Sequence, residues 1–380
     1  MNKITMKDIA GAANVSVNAV SLALNDRKGV SEETRIRIME TAQKLGYLDR
    51  KLRYIKTFGQ HHICVLILDI YEKELKNLDF YNQILYHVIR EAKYCGYDII
   101  VHYFNEQSMS IPDCITKRHV AGIIVLGKIS TLNIQRLMAV NTRMVIADHN
   151  PRLPNINCIV TDNISGGYMA AQYLIGKGFA KIGYIGDFSY SKSVKERYYG
   201  FLEALVQEGL ITFEETGEYI RKYSLMAEIE PFIMNNNIDA IKRILPPKAR
   251  LPQAYFCNND AAAIMVMEAL KEKGIKIPEE ISVIGFDNND RAGNFSPALT
   301  TINVNRELMG QKAVRQLIRL IDNENSEAEH TVLGVELVER DSVRPAQGWP
   351  GGATQKLTGK AASCPTPRYS PGPDAKSPRP

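Results

Sequence analysis

The chain has no apolar run approaching the ~18 residues that a membrane helix needs, and no charged-then-apolar leader opens it, so neither a bilayer nor a secretory route is expected. Its six cysteines (Cys64, Cys95, Cys114, Cys158, Cys257 and Cys364) are scattered without a Cys-x-x-Cys pair. The first five sit in or beside apolar runs, the placement of free thiols in a reducing cytoplasm rather than of disulfides or zinc ligands. Missing as well are the glycine loops of nucleotide sites, the His-Glu-x-x-His of zinc hydrolases and the Gly-x-Ser-x-Gly of serine hydrolases. Asp287-Asn288-Asn289-Asp290 lacks the glycine and distal glutamate of a calcium loop. Adjacent His61 and His62 have nothing near them in sequence to complete a metal site. No enzymatic activity, cofactor or metal is therefore expected.

What is present divides into a head, a linker, a long body and a tail: residues 1–48, 49–60, 61–345 and 346–380. With 380 residues the chain exceeds one core. In the head, Thr5 followed by Asp8 can satisfy the free amides of a first helical turn, and Ile9, Ala10 and Ala13 follow at helical spacing. Asn14-Val15 breaks that helix. Ser16 can cap a second, which turns Ala19, Val20, Ala23 and Leu24 inward, and Ser31 a third, with Ile36, Met39, Ala42 and Leu45 inward. Two short helices joined by a tight turn are what a helix-turn-helix requires, the second entering the major groove. Its outward residues, Ser16, Val17, Asn18, Ser21 and Leu22, are uncharged and suited to base edges. Residues 1–60 carry eleven Lys and Arg against six Asp and Glu, a surplus equal to the whole chain's +5. A basic head of this kind sits on phosphates, which favours double-stranded DNA over a merely structural bundle.

In the body, Val/Ile-rich runs alternate with amphipathic segments: His62–Asp69, Asp98–Phe104, Val120–Gly127, Arg143–Asp148, Cys158–Asp162, Lys181–Gly186, Ala254–Asn258 and Ile281–Asp287 read as strands. This is an α/β pattern with parallel sheets, too long for one, so two lobes are expected. Ligands in such folds lie beyond the carboxyl ends of strands. Those ends carry Asp69, Asp148, Asp162, Asp187, Asn258-Asn259-Asp260 and Asp287, acids and amides suited to a hydroxyl-rich small molecule such as a sugar. The alternative for each is that it only caps the following helix. Residues 346–380 hold the single tryptophan, Trp349, and end in Pro/Ser/Lys-rich sequence that cannot bury a core; they read as a disordered tail without the leucine heptads of a tetramerising coil.

Ile4-Thr5-Met6-Lys7-Asp8-Ile9-Ala10, Asn14-Val15-Ser16 and Val30-Ser31-Glu32-Glu33-Thr34-Arg35 resemble the head of the lactose-repressor/galactose-repressor family of bacterial regulators. Arg197-Tyr198-Tyr199-Gly200-Phe201, Asn258-Asn259-Asp260 and Ile284-Gly285-Phe286-Asp287 match the body of the same family, in its order. The resemblance implies a homodimeric, cytoplasmic repressor whose periplasmic-binding-protein-like core closes on a small effector, a sugar or a nucleobase. It implies an effector site at Phe80, Tyr81, Arg197, Asn259, Asp260 and Asp287, with Asp148 at a strand end near the same cleft. Expected DNA contacts are Thr5, Ser16, Val17, Asn18, Ser21, Leu22, Asn25 and Ser31, with Arg50 and Arg53 from the linker. It also implies three crossings between lobes, placing residues 61–160 plus about 293–325 in one and 161–292 plus the last strand in the other. The chain departs from the family at Ala19 and Leu22, where Thr and Arg are usual, and at Asp49, Arg53 and Lys56, which interrupt the hinge-helix pattern. Two other readings stay open: a cytoplasmic sugar-binding protein, and an enzyme with an appended DNA-binding head.

Overall fold

The structure is a computed structural model, and it describes residues 5–24, 29–45, 61–68, 75–105, 110–117, 119–141, 143–189, 191–323 and 326–346, the side chains of 24, 32, 43, 44 and 75–79 excepted. The linker 49–60, Asp69 and all of the tail beyond Ala346 lie outside them. Ala346 itself is tied back, its amide donating to the Lys177 carbonyl at 2.9 Å.

Three helices form the head: α1 (Met6–Ala13), α2 (Val17–Leu24) and α3 (Glu32–Lys44). The Asp8 carboxylate accepts from the Thr5 amide and hydroxyl, both at 2.7 Å, closing the first turn. Asn14 takes the left-handed conformation (φ 53°) that turns the chain out of α1. Ile9, Ala13, Val20, Ala23, Met39 and Ala42 pack between the helices. The inward face of α3 differs from the expected one: Ile38 is fully buried whereas Ile36 is 45% exposed. With Arg35 reaching back to the Ala23 carbonyl (3.2 Å), the helix is rotated so that 38, 39 and 42 form its seam.

The body holds two sheets. Strands β1 (His62–Leu68), β2 (Asp98–Phe104), β3 (Gly122–Leu126), β4 (Met144–Ala147), β5 (Asn157–Thr161), β6 (Ile182–Ile185), β7 (Ala254–Cys257), β8 (Ser282–Asp287), β9 (Thr300–Val304), β10 (His330–Leu333) and β11 (Val335–Val338) alternate with helices. Those are α4 (Leu75–Tyr94), α5 (Asp113–Thr116), α6 (Thr131–Met138), α7 (Asn163–Gly176), α8 (Lys192–Gln207), α9 (Thr216–Tyr223), α10 (Glu230–Met234), α11 (Ile238–Ile244), α12 (Asp260–Glu272), α13 (Asp290–Asn294) and α14 (Arg306–Asp322). The first lobe orders its strands β10-β5-β4-β3-β1-β2, all parallel; the second orders them β11-β9-β8-β7-β6, parallel except for edge strand β11. Ile63–Ile67 and Ile123–Leu126 are buried throughout, as strands covered by helices on both faces must be.

One lobe boundary is corrected. Residues from about 293 to 325 were expected in the first lobe, but β9 pairs with β8 in the second, Ile284 opposite Thr300. The chain crosses back only at Asn305, which caps α14 by accepting from the Leu308 amide (2.9 Å). Helix α14 then packs on α4 and on β3 to β5, and the last crossing falls between β10 and β11. Among the described residues no helix is long and apolar enough to cross a membrane, no cluster of His, Cys, Asp or Glu could hold a metal ion, and the five described cysteines are free.

Candidate functional site

The carboxyl ends of the strands in both lobes face a cleft that encloses about 340 Å³. The first lobe contributes Phe80 and Tyr81 from α4 and Asp148 from the end of β4; the second contributes Arg197 from α8, Asn259 before α12 and Asp287 from the end of β8. Phe80 and Tyr81 meet edge to face with ring centres 5.3 Å apart. Tyr81 Oη donates to Asp148 Oδ2 at 3.0 Å. A Cβ at Gly127 (φ 91°) would fall 2.8 Å from that hydroxyl, so the glycine is what lets the ring lie against the end of β3.

Arg197 is the most constrained cation in the cleft. It is 6% exposed, its guanidinium lies 3.7 Å over the Phe286 ring, and three nitrogens are engaged: Nε with Asn163 Oδ1 (2.9 Å), Nη1 with the Asn258 carbonyl (2.6 Å), Nη2 with Asp287 Oδ1 (3.1 Å). A planar fork held at this many points offers its remaining N–H groups in one fixed direction. The Nη2 contact is an ion pair off the hydrogen-bonding line, so Asp287 Oδ1 keeps acceptor capacity although buried. Asp287 (φ 109°) and Asn288 (φ 55°) both occupy the left-handed region, a cost borne by their surroundings. Arg306 holds this corner by donating to the carbonyls of Asp287 (2.8 Å) and Asn288 (2.7 Å).

Burial raises the carboxyls here. Asp148 is pushed up to about 7, chiefly by desolvation and further by the neighbouring Asp287, against the pull of Arg197. Asp287 is raised by burial and pulled down by Arg197 and Arg306. Asp260 reaches about 8 for the same first reason.

The strand-end acids and amides thus separate. Asp162 caps α7 through the Ser165 amide (3.0 Å), Asn259 caps α12 through the Ala262 amide (2.8 Å), and Asp187 holds a turn through the Ser189 amide (2.8 Å). Asp260, expected to face the effector, does not line the cleft: it is fully buried and accepts from Thr301 Oγ1 (2.5 Å) and the Asn289 amide (2.8 Å), fixing the loop after β8. Asp148 and Asp287 do face the cleft, and Asn259 lines it as well. Asn163 and Glu196, joined at 3.3 Å, also line it and were not anticipated. Neither lies in a motif; the only clue is that Asn163 follows a strand end and Glu196 precedes Arg197.

In the head, Asn18 is exposed and Val17 is 43% exposed on α2, while Ser21 and Leu22 are half-buried. Ser16 Oγ accepts the Ala19 amide (3.1 Å) and Ser31 Oγ the Thr34 amide (3.3 Å), so both hydroxyls cap helices; Thr5 is exposed at the start of α1. Asn25, Arg50 and Arg53 lie outside the described residues.

Two sequence families match. Residues 5–49 match "Bacterial regulatory proteins, lacI family" and residues 171–343 match "Periplasmic binding protein-like domain". The "HTH-type transcriptional repressor PurR" of Glaesserella parasuis serovar 5 (strain SH0165) is 30% identical over 354 residues, which cover 90% of this chain and 98% of that protein. Among solved structures, a periplasmic binding protein/LacI transcriptional regulator from Alkaliphilus metalliredigens QYMF complexed with D-xylulofuranose is 26% identical. It covers 75% of this chain and 99% of its own, with a TM-score of 0.58. The lac repressor dimer bound to operator and the anti-inducer ONPF shares the fold at 21% identity, covering 90% of this chain and 100% of its own, with a TM-score of 0.61.

Proposed function

The chain belongs to the lacI family of bacterial regulatory proteins and is a DNA-binding transcriptional repressor, not an enzyme, and from that premise we propose that a small hydroxyl-rich effector, a sugar, sets its operator affinity from the cleft. The observation that carries this reading is the convergence of Asp148 from one lobe with Asp287 and the clamped Arg197 from the other. Each carboxylate accepts paired hydroxyl protons, and a ligand bridging the two lobes binds the closed form better than the open one. The D-xylulofuranose held by the Alkaliphilus regulator supports a sugar here. A nucleobase is the second reading. It would stack on Phe80 or Tyr81, since Arg197 already covers Phe286.

In this proposal residues 1–48 read DNA as one half of a homodimer in the cytoplasm, 49–60 pass the signal, and 61–345 bind effector and pair the subunits. Asn18 and Val17 face base edges, with Thr5, Ser16, Ser21, Leu22, Asn25 and Ser31 around them and Arg50 and Arg53 on phosphate.

The test titrates a labelled operator, selected from randomised duplex DNA, with and without candidate sugars and nucleobases. Arg197→Ala and Asp287→Ala should each abolish effector response while operator affinity stays within a few-fold of the native protein. A variant responding at an unchanged midpoint overturns the assigned role. Because stripping one partner from a buried ion pair can cost about 3–5 kcal/mol, Asp287→Asn serves as the variant that keeps the shape.

A further inference from the structure

A second hollow opens outward from the cleft and is continuous with it through Lys128, Ser191 and Lys192. Among the described residues four cationic side chains line it, Lys128, Arg152, Lys192 and Lys195, against a single acid, Glu196. Lys192 is paired with Glu196 at 3.4 Å, and Lys195 Nζ sits 5.6 Å over the Tyr199 ring. Lys128 and Arg152 are exposed and have no carboxylate partner among the described residues.

Solvated lysines on an open surface need no explanation. These are set apart by where they come from. Lys128 follows β3 and Arg152 lies between β4 and β5, both in the first lobe, whereas Lys192 and Lys195 open α8 in the second. Closing the cleft therefore brings like charges together across its mouth, which opposes closure until an anion lies between them. A dianion placed there would favour the closed state by the same contacts, and a differential affinity of that kind is what couples a ligand to a conformational change. The inner cleft meanwhile presents Asp148 and Asp287 as acceptors for hydroxyls, and its buried cation, Arg197, is already paired with Asp287.

We propose that the effector is a phosphate monoester on a polyhydroxylated body, its hydroxyls on Asp148 and Asp287 and its phosphate at the mouth between Lys128 and Lys195. The inference rests on the cleft being the effector site. It names the chemistry that the inner residues leave open, and sugar phosphates and nucleoside monophosphates share it.

The experiment uses the full chain. Operator release is titrated with ribose against ribose 5-phosphate, glucose against glucose 6-phosphate, and adenosine against adenosine 5′-monophosphate. Inorganic phosphate alone is followed by the broadening of its phosphorus NMR line. The expected result is that one phosphorylated member acts at least about tenfold below its parent compound. The double substitution Lys128→Gln with Lys195→Gln should erase that difference, and native protein should broaden the phosphate line where the doubly substituted protein does not. Which pair responds separates a sugar phosphate from a nucleotide. A parent that acts as well as its phosphate, a difference that survives the double substitution, or a phosphate line equally sharp with both proteins overturns the proposal. A free sugar that releases operator while phosphate has no effect removes the anion subsite and leaves the cleft reading standing. Phosphate binding that survives the double substitution but is lost in Arg197→Ala would overturn it from the other side, by placing the anion in the inner cleft.

Discussion

Asp148 is the residue whose protonation the effector would feel most directly. Its carboxyl is lifted to about 7 by burial, with Tyr81 donating to one oxygen at 3.0 Å. Ligand hydroxyls donate to the ionised form, so binding expels a proton, and affinity should rise with pH up to about 7 and level off above it. Stability should run the other way. The folded value lies above the ordinary 3.8, so the unfolded chain loses its proton first, and the contribution of this group is present in full at low pH and declines as pH climbs toward about 7. Asp260, raised to about 8, adds a similar slope to stability but does not line the cleft, so the effector titration discriminates between the two. Asp148→Asn should flatten the pH dependence of the operator-release midpoint. A variant that keeps the native slope would show that Asp148 does not accept from the ligand.

Helices α7 and α8 meet more closely than side chains allow. A Cβ on Gly200 would fall 1.9 Å from the Ile164 carbonyl oxygen, and one on Gly167 would fall 2.0 Å from that of Arg197. The crossing sets how deep α8 lies, and hence where its Arg197 reaches the cleft. Gly200→Ala must push the helices apart, at about 1–3 kcal/mol or more by the cost of overpacking, and should weaken effector response together with the melting temperature. Gly176→Ala, at the open end of α7 with nothing within 4 Å, is the control and should melt near the native temperature. A Gly200→Ala protein that melts with the control would remove this account of the crossing. Most strands were legible in the sequence: the eight Val/Ile-rich runs read as strands all pair in the sheets, including β2, a part-exposed edge strand that its Ile99-Ile100-Val101 run still marks. Thr300–Val304 and His330–Leu333 escaped because their signal is weaker: β9 is Thr- and Asn-bearing and β10 is only four residues long, while β11 entered only as the last strand that the family resemblance implies. The cleft was legible where a side chain ends a strand or belongs to a spaced motif, as with Asp148, Arg197 and Asp287. Burial itself was not: the sequence gives no sign that Asp260, one residue after Asn259, turns inward to Thr301 instead of toward the ligand.

At the scale of the whole molecule the question is how a head with one short reading helix achieves specificity. Helix α2 spans Val17–Leu24, and Val17 and Asn18 are exposed on it. So few contacts discriminate only a few base pairs, far short of what a genome's competing sites demand, and two heads on a two-fold operator would supply the remainder. The chain of the body passes between its lobes three times, so any change in closure moves every crossing at once. We therefore expect the full chain to sediment as a dimer and to select a pseudo-palindrome from randomised DNA. A lone half-site bound with undiminished affinity would remove the dimer. Within that operator the Asn18 amide can pair with the N6 and N7 edge of adenine. Asn18→Ala should then cost about 1–3 kcal/mol and relax preference at one position in each half-site. A loss spread evenly over all sequences would instead place Asn18 on phosphate and leave Val17 and Leu22 to carry the reading through apolar contact with thymine methyls.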